Sequence, residues 1–509
     1  MTLPEEHFKE TKRLISLVGD KLIADWLIKE GYYAEQYVLP PCFKVETFKL
    51  KRAAYFKVKT VGTKVEYKVE PDDLMNVSFP KSQLTERTFG FIHPKIYHDI
   101  VWHLKNEWQL ILDHIFHKDI NIFCYSFPIP ITSKSETYLG NLRAGRMIYE
   151  FIEMAENDLV AEAHKFKYLV KTDIKNFYPS IYTHSISWAL HGKKDGRKDR
   201  STYALLGSKL DKLFQSANDG CTNGLPIGPA VSDLVSDLLL AAVDRETSKE
   251  LKKKGIKFIG VRFKDDYRFL CNSKTEAETI IKTLQVQLRQ FNLNLNEGKS
   301  DIKELPEGLF RPWTSDYHKF SLRYKRKIGY KKFENTLLAV LQIDKTHNDT
   351  GVIDKFLSEL TTKKYNLKLV LKDKDVLKTF SLLLLLKQRR AKAFPQILAI
   401  IELIFEQFKK DKAMIEKMTG SIKDIFLSKL DNETENQYDL IWLAYFIKSN
   451  ELFTFKWPRK INSDLLKAMK ANSQTFFPDP DFKIYATIKK PSKNIPLIKH
   501  LAIFPNDKP

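Results

Sequence analysis

The sequence predicts an α/β protein whose second part is all-helical. Three observations lead there. Up to about residue 310, short β-rich runs alternate with helical stretches and Gly/Pro punctuation. Beyond it, long amphipathic segments take over. Third, hydrophobic residues make up 43% and charged residues 29% of 509 positions, with 19 Gly and 21 Pro scattered, which excludes a disordered or low-complexity chain.

In chain order, the first twenty residues carry Glu5, Glu6 and Glu10 and no apolar h-region, unlike a secretory signal. Strand-like runs follow at 167–172 (KYLVKT), 258–262 and 268–271. Ser273 with Glu276 forms a capping box that opens a helix to about Phe291. Residues 293–299 form another strand-like run, ending in Lys299. A basic connector spans about 305–335. Helical spacing of apolar residues then marks 336–341, 397–408, 415–430 and 440–447. The expected division is 1–310 and 311–509. The longest apolar run, Leu382 to Leu386, is far below the about 20 residues a membrane helix needs.

Four cysteines, Cys42, Cys124, Cys221 and Cys271, form no CxxC pair, so neither a disulfide framework nor a thiolate zinc site is expected, and a reducing cytoplasm is the expected address. Lys and Arg outnumber Asp and Glu by 84 to 63, a net charge of +21. An excess of that size suits a polyanionic partner, or simply solubility.

Three carboxylates stand out. Asp173 follows the strand-like Tyr168-Leu169-Val170 and precedes an aromatic string through Tyr182. Asp265 and Asp266 lie 92 residues later between two β-type runs, as the turn of a hairpin. An Asp pair in a turn is weak evidence alone. A carboxylate at a separate strand end is more pointed, because two hard cations about 3.5–4 Å apart need carboxylates brought in from different strands. Mg²⁺ takes one or two carboxylates and leaves its remaining positions to phosphate and water. Between these sites, Asn223-Gly-Leu-Pro-Ile-Gly228-Pro229 precedes an apolar helix, and its glycines let backbone approach a ligand.

The order Asp173-Ile-Lys-Asn-Phe-Tyr178, Gly224-Leu-Pro-Ile-Gly228, Phe263-Lys-Asp-Asp266 and Leu295-Asn-x-x-Lys299 resembles the four palm motifs of reverse transcriptases. More narrowly, residues 180–189 with Gly192-Lys193 resemble the abortive-infection (Abi) polymerases of bacterial phage defence, the AbiK type and its prophage-encoded relatives. The motifs cover roughly 120–305.

The resemblance implies a reverse-transcriptase-like palm and fingers followed by a helical, HEAT-like region. Asp173 and Asp265 would bind two Mg²⁺ or Mn²⁺ ions, with the Ile174 carbonyl completing one shell and Asp266 as partner, for transfer of dNMP. Tyr178 matches the aromatic steric gate that selects dNTPs over NTPs, while Phe177 reads as core. Lys299 would approach the triphosphate or protonate departing pyrophosphate; a solvated lysine is the plain alternative. Arg143 and Arg146 resemble the fingers cations that hold the triphosphate, or are surface charges. His184 and Trp188 read as packing behind the first motif.

Two positions depart from the family. Ile227 stands where many templated enzymes carry Gln beside the nascent pair, and Phe263-Lys264 replaces Tyr-Ala or Tyr-Met. Both agree with what the Abi resemblance implies: template-independent synthesis primed by a protein hydroxyl, giving a single-stranded DNA product covalently attached to a homo-oligomer, in antiphage defence. Priming candidates are Tyr32, Tyr33, Tyr37 and Tyr55, any of which also suits packing. Arg323, Lys325, Arg326, Lys327 and Lys331, interleaved with Tyr324 and Tyr330, form a tract suited to single-strand contact. Lys252-Lys253-Lys254 reads as a solvated helix end. The alternatives are a templated RNA-dependent DNA polymerase and a catalytically idle nucleic-acid-binding scaffold.

Overall fold

The computed structural model describes the chain outside residues 33–37, 44, 46–48, 82–84, 132–144, 348–349, 472, 474, 476, 478–495 and 502–509, and outside the side chains of 145–151. At its centre is a five-stranded sheet, in spatial order Ile122–Cys124, Ile259–Phe263, Asp266–Cys271, Tyr168–Asp173 and Asp301–Glu304. The first pair is parallel and the rest antiparallel. Tyr168–Asp173 therefore lies beside one arm of the 259–271 hairpin. This is the layout that carboxylates drawn from two distant sequence segments require.

The hairpin is tighter than the sequence suggests. Phe263 pairs with Asp266, so only Lys264 and Asp265 turn the chain. Lys264 adopts φ +53°, a left-handed conformation that costs a non-glycine residue roughly 1–2 kcal/mol. Gly260 explains how neighbouring strands approach: a Cβ there would lie 2.9 Å from Ile122 Cγ1 and 3.0 Å from Phe269 Cε1.

Ala230–Lys253 is the long helix behind the sheet, and most of its length is buried. Its apolar residues surround the axis, as burial on all sides requires. The capping box expected at 273–276 is present: Ser273 Oγ accepts from the Glu276 N–H at 3.1 Å, opening Lys274–Arg289. Residues 293–299 depart from the expected strand. Only Leu295 bridges, to Ile174, before the short 3₁₀ turn Glu297–Lys299; the strand proper is Asp301–Glu304.

Helices fill the C-terminal part: Tyr330–Thr346, Asp373–Arg389, Phe394–Gln407, Lys412–Leu430 and Gln437–Ser449 cover the expected amphipathic segments. Among the described residues, a two-residue parallel pairing of Ile328–Gly329 with Leu369–Val370 and an antiparallel bridge from Thr361 to Leu367 are exceptions to an all-helical reading. These helices also touch the N-terminal part, with the ring of Tyr438 5.1 Å from Phe79. Among the described residues no helix is long and apolar enough to cross a membrane.

Candidate active site

The antiparallel ladder sets Asp173 directly opposite Asp266, and the Ile174 N–H donates to the Asp265 carbonyl at 3.2 Å. Three carboxylates thus share one sheet end. From the other side, the Asn296 N–H donates to the Asp173 carbonyl at 2.8 Å, which brings Lys299 over the same edge. Its ammonium lies 2.8 Å from Asp173 Oδ2.

The electrostatics follow from that crowding. Restricted hydration raises the Asp266 carboxyl to about 7, and the neighbouring Asp265 charge and a hydrogen bond shared with Asp173 push the same way. Burial and the Asp173 charge raise Asp265. Partial burial works against the Lys299 charge, but its contact with Asp173 and the nearby Asp266 and Asp265 outweigh that and raise its pKa. Among the described residues, no three carboxylate, imidazole or thiolate side chains are placed to hold an ion by themselves. The donor set fits a cation that completes its shell with phosphate and water.

Beneath the turn lies a buried network that sequence reasoning missed. Arg262, 1% exposed, donates from Nε to Asp244 Oδ2 and from Nη1 to Asp237 Oδ1, both at 2.9 Å. The same Nη1 donates to the Lys264 carbonyl at 3.0 Å, and the Tyr267 hydroxyl donates to Asp244 Oδ1 at 2.8 Å. Ser126 Oγ accepts from the Lys264 N–H at 2.7 Å. Both peptide groups of the strained turn residue are therefore held. Burial raises Asp237 and lifts Asp244 to about 6 against the pull of Arg262. A signal existed in the sequence: Asp233, Asp237 and Asp244 recur at near-helical spacing within an apolar helix, where carboxylates need partners.

Tyr178 sits in the short helix Phe177–Ser180, reached through Asn176 at φ +47°. Its hydroxyl donates to Asp233 Oδ1, and its carbonyl accepts from the Leu225 N–H at 2.9 Å. The Gly224 N–H donates to Ile181 O at 2.8 Å, so the 224–228 loop and the aromatic string hold one another. Gly224 at φ +93° and Gly228 at φ +120° supply the loop's bends. The Ile227 carbonyl accepts from Gly90 N–H at 3.0 Å, tying the loop to the Glu86–Phe91 strand. His184 pairs with Asp211, and Trp188 stacks beneath Lys193 and Arg197, a packing arrangement behind the aromatic string.

The remaining candidates are scattered. Arg143, Tyr33 and Tyr37 lie outside the described residues, as does the side chain of Arg146, whose backbone belongs to Gly145–Ala163. Tyr32 is fully buried and donates to the Ile92 carbonyl at 2.6 Å, so its hydroxyl is closed to a nucleotide in this conformation. Tyr55 is half-buried, edge-on to His98 with Lys51 over its ring. Arg323, Lys325, Arg326 and Lys327 cluster around Tyr324, which is 85% exposed, while Lys331 pairs with Glu334 at 2.6 Å.

Residues 105–330 match the family of reverse transcriptases, RNA-dependent DNA polymerases. This segment is a reverse-transcriptase-like domain. It contains every strand of the central sheet, all three aspartates, Tyr178 and Lys299. Solved structures similar to the chain include apo telomerase from Candida tropicalis, at 13% identity and TM-score 0.32 over 76% of this chain and 71% of that one. A form of it truncated from the C-terminal domain gives 14% identity and TM-score 0.32 over 47% and 52%. Telomerase from Candida albicans with a fragment of telomeric RNA gives 12% and 0.24 over 59% and 53%. The chain thus spans about half the length of two of these three. No curated protein matches it.

Proposed function

We propose that this chain is a DNA-synthesising nucleotidyltransferase that joins dNMP units without a template, starting from a hydroxyl of the protein itself, and that it acts in abortive-infection defence against phage. The observation that carries the polymerase reading is the convergence of Asp173, Asp265 and Asp266 on one sheet end within a reverse-transcriptase-like domain. Asp173 and Asp265 would hold two Mg²⁺ or Mn²⁺ ions, with Asp266 and the Ile174 carbonyl beside them. When bound, such ions lower the pKa of the attacking hydroxyl and neutralise charge on the departing pyrophosphate.

The chain's own residues do the rest. Tyr178 walls the sugar subsite and rejects a 2′-hydroxyl. Lys299 compensates the carboxylates before substrate arrives and delivers its proton toward the leaving phosphate. Gly228 lets backbone approach the incoming nucleotide closely, and Arg143 and Arg146 draw in the triphosphate. Arg323, Lys325, Arg326, Lys327 and Lys331 guide the strand. HEAT-like stacking of the C-terminal helices and self-association complete the reading; a monodisperse monomer in sedimentation at micromolar concentration would remove the second.

Ile227 supports template independence, since its side chain has no hydrogen-bonding group to offer a template base. With Tyr32 closed, Tyr33, Tyr37 and Tyr55 are the primer candidates. The matching family's description as RNA-dependent DNA polymerases favours a second reading, templated copying. One assay separates the two: labelled dNTP, Mg²⁺ and protein without primer or template, resolved on a denaturing protein gel. Label held on the polypeptide, released by nuclease and lost in Asp265→Asn, is the expected result. Label that appears only with a primed RNA template would select the second reading. No label under either condition would leave an idle nucleic-acid-binding scaffold.

A further inference from the structure

Two sequence motifs meet at a carboxylate that neither of them contains. Asp233 stands in the first turn of Ala230–Lys253 and is 6% exposed. Its Oδ1 accepts the Tyr178 hydroxyl, and its Oδ2 lies 3.5 Å from the Lys264 ammonium. Lys264 in turn immediately precedes Asp265 and is held at both peptide groups by Ser126 and Arg262. A buried carboxylate in the first turn is also favoured by the positive end of the helix dipole.

The backbone of Tyr178 is already fixed by the Leu225 N–H. What the backbone leaves open is the swing of the side chain about χ1, and a hydrogen bond at the far tip of the ring closes it. Steric rejection of one extra oxygen depends on a wall that does not yield. A ring able to swing admits the larger sugar even though its own size is unchanged. We infer that Asp233 is the positioning residue for sugar selection: it locks the Tyr178 ring and ties it to the turn that carries the metal-facing aspartates. This rests on the reading of Tyr178 as the sugar wall.

The test is the ratio of kcat/KM for dATP over ATP in the full chain, measured for wild type, Asp233→Ala, Asp233→Asn, Tyr178→Phe, Tyr178→Ala and the Asp233→Ala/Tyr178→Phe double variant. Asp233→Ala and Tyr178→Phe should each lower the ratio at least tenfold, and the double variant should go no lower than either alone. Asp233→Asn keeps an acceptor oxygen and should hold the ratio within about threefold of wild type, an outcome that a merely structural role would not single out. A wild-type ratio in Asp233→Ala with a reduced one in Tyr178→Ala overturns the role of Asp233 and leaves the wall intact. An unchanged ratio in Tyr178→Ala overturns the wall and this inference together. Should Asp233→Ala fail to fold, Tyr178→Phe removes the same hydrogen bond and decides alone. If no variant incorporates nucleotide, the ratio is read from equilibrium dialysis of dATP and ATP with Mg²⁺, and equal binding of both by wild type overturns the proposal.

Discussion

Lys299 sets its ammonium 2.8 Å from Oδ2 of Asp173, so one cation on an exposed side chain compensates the most buried of three converging carboxylates. The lysine side chain is 62% exposed, and its energetic worth is correspondingly discounted to below about 1 kcal/mol. Its value is chemical. On the proposed reading, a cation able to swing away would leave the carboxylates open to incoming ions and nucleotide and return as pyrophosphate departs. Lys299→Met should cut dNTP incorporation by about 10²–10⁴-fold, the range of a positioned proton donor. Thermal melts should shift little, and a large loss of stability would show the lysine to be structural instead.

The same carboxylates predict how stability depends on pH. Asp266 titrates near 7 in the folded chain against an ordinary 3.8, and Asp265 is raised as well. Between those values the folded chain keeps a proton that the unfolded chain has lost. Stability without divalent ions therefore falls as pH rises from about 4 to about 7, and the penalty is complete above that. Asp266→Asn should flatten this slope and raise the metal-free melting temperature at pH 8, while abolishing incorporation. Mg²⁺ or Mn²⁺ should stabilise the wild type more at pH 8 than at pH 5.5. A melting temperature that climbs between pH 5 and 7 without metal would contradict the assignment.

Arg262 predicts a different kind of damage. It is buried with Asp237 and Asp244, and removing it strands two carboxylates in the core. Arg262→Met should cost about 3–5 kcal/mol in urea unfolding, the range for breaking a buried ion pair from one side. Arg262→Lys should recover only part of it, since one ammonium cannot reach both carboxylates and the Lys264 carbonyl as the planar fork does. A loss under 1 kcal/mol for the Met variant would mean that the network is not a structural anchor.

These three cases show how far sequence carries and where it stops. Asp173, Asp265 and Asp266 were legible because charges interrupt apolar runs at turns. The helices after residue 330 were legible from apolar spacing. Residues 293–299 were not, because alternation of Leu and Asn looks like a strand whether or not a partner lies alongside; here the pairing begins only at Asp301. The Ser126 anchor of the lysine in the left-handed turn position and the carboxylate behind Tyr178 depend on contacts 138 and 55 residues apart. Only the aspartates spaced along the 230–253 helix hinted that something charged lay opposite.

The connector predicts the salt dependence of strand binding. Lys325, Arg326 and Lys327 are exposed beside Tyr324, with no acidic partner among the described residues, whereas Lys331 is already matched by Glu334. Cations that neutralise the phosphates of a single strand release its condensed counterions, so the slope of log K against log salt should shrink by about 0.7 for each phosphate no longer neutralised. Replacing Lys325, Arg326 and Lys327 together by Ala should flatten the slope for oligo-dT by about 2, by fluorescence anisotropy across 50–300 mM salt. Lys331→Ala should change it by much less, because that charge is shared with Glu334. Tyr324→Ala should weaken binding by about 1–3 kcal/mol with the slope unchanged, since stacking releases no ions. Equal slopes for the triple variant and wild type would place the strand elsewhere on the molecule.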